Sequence, residues 1–232
     1  MPGIHKVVMA QKNQITMGYK VPFDIINAIL NDLSYNCDWE SIRSLSRTCK
    51  ILVEPCQKHL FNTIAIHQTT ITQLNSVLAN HPNLVSYILH LHYYMDGESD
   101  VCAHILLLQK FSRLWSLHIT GDGTDKGTIW NVMPGSLQEQ LIWLLRFPEL
   151  EFLSLTCICS WPVSLFANCG NLHQLQVGAL GLDATNLTTF VSLPFPPPCQ
   201  PKTLSINASA FYFLMIFSPW NGQMGILSST YL

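Results

Sequence analysis

Nine histidines and eight cysteines are the residues best equipped for chemistry in this 232-residue chain, and their spacing decides what that chemistry is. His90 and His92 alternate with leucines, and His118 holds the same phase in Leu114-Trp-Ser-Leu-His-Ile119. Residues two apart share a strand face and adjacent strands lie ~4.8 Å apart, so these three rings are expected as neighbours. Such a trio suits a metal or pH-sensitive patch. A metal wants further ligands in fixed geometry, however, and the sequence sets no carboxylate or thiol beside them. A polar face open to a protein partner is the reading adopted. Cys157-x-Cys159, with Cys169 beyond, lacks both the C-x₂₋₄-C spacing and the second ligand pair of a structural zinc site. Core or loop thiols are expected there and at Cys49 and Cys56. No metal and no cofactor is assigned.

Other catalytic signatures are missing from the sequence. It holds no G-x-S-x-G elbow, no P-loop and no G-x-G-x-x-G, and Gly121-Asp-Gly123 reads as a turn. The 14 acidic residues form no conspicuous pair. The chain is not expected to be an enzyme. A net charge of −2 without a Lys/Arg cluster argues equally against nucleic acid.

The histidines need strands to hold them. Leu114-x-x-Leu117-x-Ile119, Leu150-x-x-Leu153-x-Leu155 and Leu172-x-x-Leu175-x-Val177 share one L-x-x-L-x-L kernel, and Leu89-His90-Leu91 and Leu204-Ser205-Ile206 fit it loosely. Taking Leu89 as the first central leucine, the spacings to 117, 153, 175 and 204 are 28, 36, 22 and 29 residues. The long interval contains the glycine-rich stretch Gly121–Gly127. With the leucines inward, the alternate residues face outward on a concave surface: His90 and His92, Ser116 and His118, Ser154 and Thr156, Gln174 and Gln176, and Ser205. Between the kernels the spacing predicts helices over Ile71–Ala79, Val101–Lys110, Ser136–Arg146 and Val163–Ala167, and a weaker cycle over Thr185–Val191. Stacked helix–strand units make an irregular solenoid with a parallel sheet, the alternative being an ordinary α/β layer protein. Of the tryptophans, Trp130 beside the glycine-rich stretch is expected to be exposed, and the others to pack.

Ahead of these units lies Val21–Ile66. Pro22 suits a first helical turn, and Ile25, Ile26, Ile29, Leu30 and Leu33 recur at helical spacing. Asp38 is placed to cap a second helix carrying Ile42, Leu45 and Cys49, and a third runs from Ile51 to Phe61. Three short helices with one apolar face each make only a small core and leave apolar surface over. The pattern V-P-x-D-I-I-x-x-I-L-x-x-L, then D-W-x-S-I-x-S-L-S-R-T-C-K-x-L, then P-C-x-x-x-L-F-x-T-I, resembles an F-box, most closely the F-box-like segments of fungal proteins followed by leucine-rich repeats. Val21 stands for the usual Leu and Asp24 for Glu, the Ser34–Cys37 loop is long, and Ile51 or Leu52 stands where many boxes have Trp.

The resemblance implies an α/β chain with an N-terminal three-helix F-box and a short irregular leucine-rich-repeat solenoid. It further implies a substrate-recognition adapter of an SCF-type ubiquitin ligase, the box docking on a Skp1-like adaptor protein and the repeats holding an unknown target protein. Carried over by position, the adaptor face comprises Val21, Pro22, Ile26, Ile29, Leu30 and Leu33, with Leu45 and Ile51. Target contacts fall to His90, His92, Ser116, His118, Ser154, Gln174 and Gln176. The alternatives are an interaction module without ligase attachment, its box closed into a private core, and a truncated, non-functional duplicate.

Composition frames the rest. Apolar residues make up 48% and charged ones 11%, which demands extensive burial or a covering partner. No secretory signal or membrane span is read, the longest greasy run being Phe211–Phe217. The expected compartment is therefore cytoplasm or nucleus, with reduced cysteines and unused sequons at Asn186 and Asn207. Residues 1–20 read as a flexible tail, 21–66 as the box, 67–209 as the repeats, and 210–232 as an irregular, truncated tail without a kernel. The proline run Leu193–Cys199 cannot sit in a sheet interior.

Overall fold

The computed structural model describes residues 21–95, 100–122, 128–178, 202–207 and 223–227. It opens with helices α1 (Phe23–Tyr35), α2 (Trp39–Thr48) and α3 (Lys50–Leu60). Pro22 precedes α1, as its fixed φ favours, and the Asp38 carboxylate caps α2 by accepting the Ser41 N–H at 3.1 Å. Hydrogen bonding to the charged form, from the Ser41 side chain first and then from its backbone N–H, lowers the Asp38 pKa. Cys37, at φ 56°, turns the chain between the two helices. Leu30, Ile42 and Cys56 form a small core of their own, with Ile26, Leu33, Leu45, Leu52 and Leu60 around it.

Strands and helices then alternate: β1 (Thr63–Ile66), α4 (Ile71–Asn80), β2 (His90–Met95), α5 (Val101–Leu108), β3 (Ser116–Gly121), β4 (Thr128–Ile129), α6 (Gly135–Leu145), β5 (Phe152–Thr156), β6 (Ile158–Cys159), β7 (Gln174–Gly178), β8 (Thr203–Asn207) and β9 (Gln223–Leu227). Short 3₁₀ helices at Pro82–Tyr87, Trp130–Val132 and Val163–Asn168 complete the connections. The fold is mixed α/β. Seven strands form one parallel sheet in chain order, β1-β2-β3-β5-β7-β8-β9, while β4 and β6 make a separate two-stranded ladder.

Register explains the leucine pattern. Ile64, Leu91, Leu117, Leu153, Leu175, Leu204 and Met224 align across the sheet, and Ile66, Tyr93, Ile119, Leu155, Val177, Ile206 and Ile226 form the next row. From β2 to β7 these positions are buried against leucines of α4, α5 and α6 in one continuous core. Helices thus cover one face of the sheet. Leu91, not Leu89, is the first central leucine; a slip of two residues leaves the histidines on the expected face.

Three further expectations are corrected. The sheet continues past residue 209, because Gln223–Leu227 pairs in parallel with β8 while keeping period two without the leucine kernel. Helix α6 starts at Gly135 behind Pro134 rather than being capped by Ser136. Gln138 Nε2 ties that start down, donating to the Trp130 and Met133 carbonyls at 2.9 and 3.0 Å. Trp130 is buried, packed edge-on against Trp161 with ring centroids 4.5 Å apart. The cycle at Thr185–Val191, the proline run and Phe211–Phe217 lie outside the described residues.

Gly121 ends β3 where a side chain has no room, since an added Cβ would fall on the Cys157 carbonyl. Thr128 ties the two-stranded ladder to this end of β3: its N–H donates to the Cys157 carbonyl at 3.1 Å and its hydroxyl accepts the Asp122 N–H at 2.8 Å.

Candidate protein-interaction surfaces

The first surface lies on the helical unit. Ile25 and Ile29, one turn apart on α1, are 51% and 48% exposed, and Val21, just ahead of the helix, is 54% exposed. Phe23 and, at the start of α3, Ile51 are also open to solvent. Of the residues expected on the adaptor face, Val21, Pro22, Ile29 and Ile51 are exposed, while Ile26, Leu33 and Leu45 are half-buried. Leu30 is corrected: at 1% exposure it belongs to the helical core, because α2 and α3 close over that side of α1. Phe23 and Ile25 were missed as surface residues. For Ile25 the signal that could have found it is its phase relative to Leu30, about 140° round the helix at about 100° per residue; Phe23 shares the phase of Leu30 and carries no such signal.

The second surface is the sheet face opposite the helices. His92 and His118 sit side by side in register and stack in parallel, centroids 4.1 Å apart and planes 8° apart. His118 also rests on Phe152 at 4.8 Å. In the neighbouring row His90 Nδ1 and the Ser116 hydroxyl share a 2.8 Å hydrogen bond, and Trp115 meets the His90 ring edge-on. Tyr94 stacks on His67 at 3.9 Å. The sequence thus anticipates the histidine cluster but not its aromatic company. Gln174 and Gln176 are half-buried on this face, whereas Ser116 and Ser154 are buried, 2% and 6% exposed. Their short side chains lie below larger neighbours, so they shape the surface rather than offer contacts.

Burial keeps these imidazoles neutral. It lowers the pKa of His92 and of His90, the latter also through the charge of His92. His118 is pushed down to about 4 by burial and then by the charges of His92 and His90. At pH 7 the row is an uncharged aromatic strip with hydrogen-bonding edges. None of the alternate positions of β1, β2, β3, β5 and β7 on this face holds a carboxylate.

Where the helical unit meets the sheet, a cleft of about 420 Å³ opens above Thr63 and Ala65 of β1. Trp39 and Arg43 of α2 and His59 and Leu60 of α3 wall it on one side, and His92 on the other. Arg43 holds Glu40 in an exposed ion pair at 2.9 Å. Burial holds the His59 pKa below its ordinary value.

Among the described residues, no helix is long and apolar enough to cross a membrane, and no group of three or more His, Cys, Asp or Glu side chains could hold a metal ion. The described cysteines form no disulfide. Comparison with known proteins gives no matching family model, no matching curated protein and no matching solved structure.

Proposed function

We propose that this chain is a substrate-recognition adapter of an SCF-type ubiquitin ligase, an F-box followed by an irregular leucine-rich-repeat array. One observation carries the reading. Ile25 and Ile29 on α1, with Val21 just ahead of it, are left uncovered on a helical unit that already has its own core. Exposed apolar residues one turn apart on a helix are a ridge that a partner's groove accepts. The strand–helix alternation behind the unit supports a repeat array, and its open face, free of carboxylates from β1 to β7, supports a protein-binding role.

A second reading, an F-box-like interaction module without ligase attachment, draws on the inward turn of Leu30. A pull-down of the full chain with a purified Skp1-like adaptor separates the two. Retention by wild type and loss in Ile29→Asp, with helicity intact, supports the ligase adapter. Absence of binding by folded wild type supports the second reading.

A further inference from the structure

The geometry points to the cleft over Ala65 as the seat of a planar aromatic side chain from a bound protein segment, stacked on His92 and followed by an acidic residue that pairs with Arg43. This rests on the open sheet face being the target-binding surface and names what that target presents.

The stack itself supplies the first reason. His118 and His92, in register on neighbouring strands, pile along the sheet, and Phe152, opposite Ser116 in the adjoining row, leans on His118 at 32°. The next strand, β1, places Ala65 in register with His92. Strands are ~4.8 Å apart, so one more rung would hold one more flat ring. A methyl group cannot fill that rung, and the outer face of His92 is left looking into the cleft. Trp39 and Leu60 close the far side. Aromatic rings gain from offset stacking beyond simple burial, and leucine does not.

Charge supplies the second. Among the described residues lining the cleft, Arg43 is the one formal charge at pH 7, since burial disfavours the protonated forms of His59 and His92. Glu40 takes one of its N–H groups at 2.9 Å, leaving others of the guanidinium fork for an incoming carboxylate. The volume of about 420 Å³ lies within the range of small binding pockets.

The test is an NMR titration of the full chain, reading the histidine and tryptophan ring resonances, with the peptide acetyl-Gly-Phe-Asp-Gly-amide. Saturable shifts at His92 and Trp39 are expected, with affinity falling about tenfold when the peptide Phe is changed to Leu, and a few-fold when Asp becomes Asn. Ala65→Leu, which fills the rung from an exposed position, abolishes binding; Ala65→Ser, which does not, retains it. Thermal melts verify that both variants fold. Equal affinity for the Phe and Leu peptides overturns the proposal, as does binding unaffected by Ala65→Leu or no shift at millimolar peptide. Adaptor pull-downs on the same samples separate the two claims. Adaptor binding without peptide binding sinks only the cleft, and peptide binding without adaptor binding sinks only the ligase attachment.

Discussion

Acidification is expected to loosen the sheet through His118. Its pKa is about 4 in the folded protein against an ordinary 6.5, so the unfolded chain takes up a proton over this interval before the folded one does. The stability contributed by neutral His118 is complete above pH 6.5, declines as the pH falls from 6.5 towards 4, and levels off below that. The whole shift sets a ceiling of roughly 3.4 kcal/mol at 1.36 kcal/mol per unit. The ring is only half-buried, so solvent screening reduces this to about 1–2 kcal/mol. His118→Phe keeps a flat ring between His92 and Phe152 but cannot titrate. Urea unfolding of both proteins at pH 7 and pH 4.5 is expected to show wild type losing about 1–2 kcal/mol more than the variant. Parallel losses would refute the burial of this ring.

Other substitutions probe the packing. Gly121→Ala forces a methyl group onto the Cys157 carbonyl and is expected to lower stability by about 1–3 kcal/mol in chemical denaturation. Leu153→Ala, at a fully buried position in the middle of the sheet, should cost about 3–5 kcal/mol. Leu30→Ala should cost about 2–4 kcal/mol while Ile29→Ala costs well under 1, since only the first opens a cavity. Tyr93→Phe removes a buried hydroxyl 2.9 Å from His104 Nδ1 and should cost about 1–2 kcal/mol in thermal melts.

The sheet was legible because its kernels repeat. Leu117, Leu153 and Leu175 align as their spacing implied. Strand β9 was hidden because Met224 and Ile226 keep the period without the leucines. The separate β4–β6 ladder was hidden because two-residue strands carry no period at all. In the helical unit, the stripe Ile25–Leu33 announced an amphipathic helix but not which flank is covered. That choice belongs to α2 and α3, which close over Leu30 and leave Ile25 and Ile29 outside. The histidine row followed from alternation, whereas Phe152, opposite Ser116 in the adjoining row, meets His118 only diagonally. The cleft had no local signal, since residues from α2, α3, β1 and β2 meet only in three dimensions.

The central claim is that α1 keeps an apolar ridge for another protein. Isothermal titration of a purified Skp1-like adaptor into the full chain tests it most directly. A micromolar or tighter complex is expected, weakened about a hundredfold by Val21→Asp with Ile29→Asp while the melting temperature holds. No heat of binding with folded wild type, or the same affinity in the double variant, would contradict it.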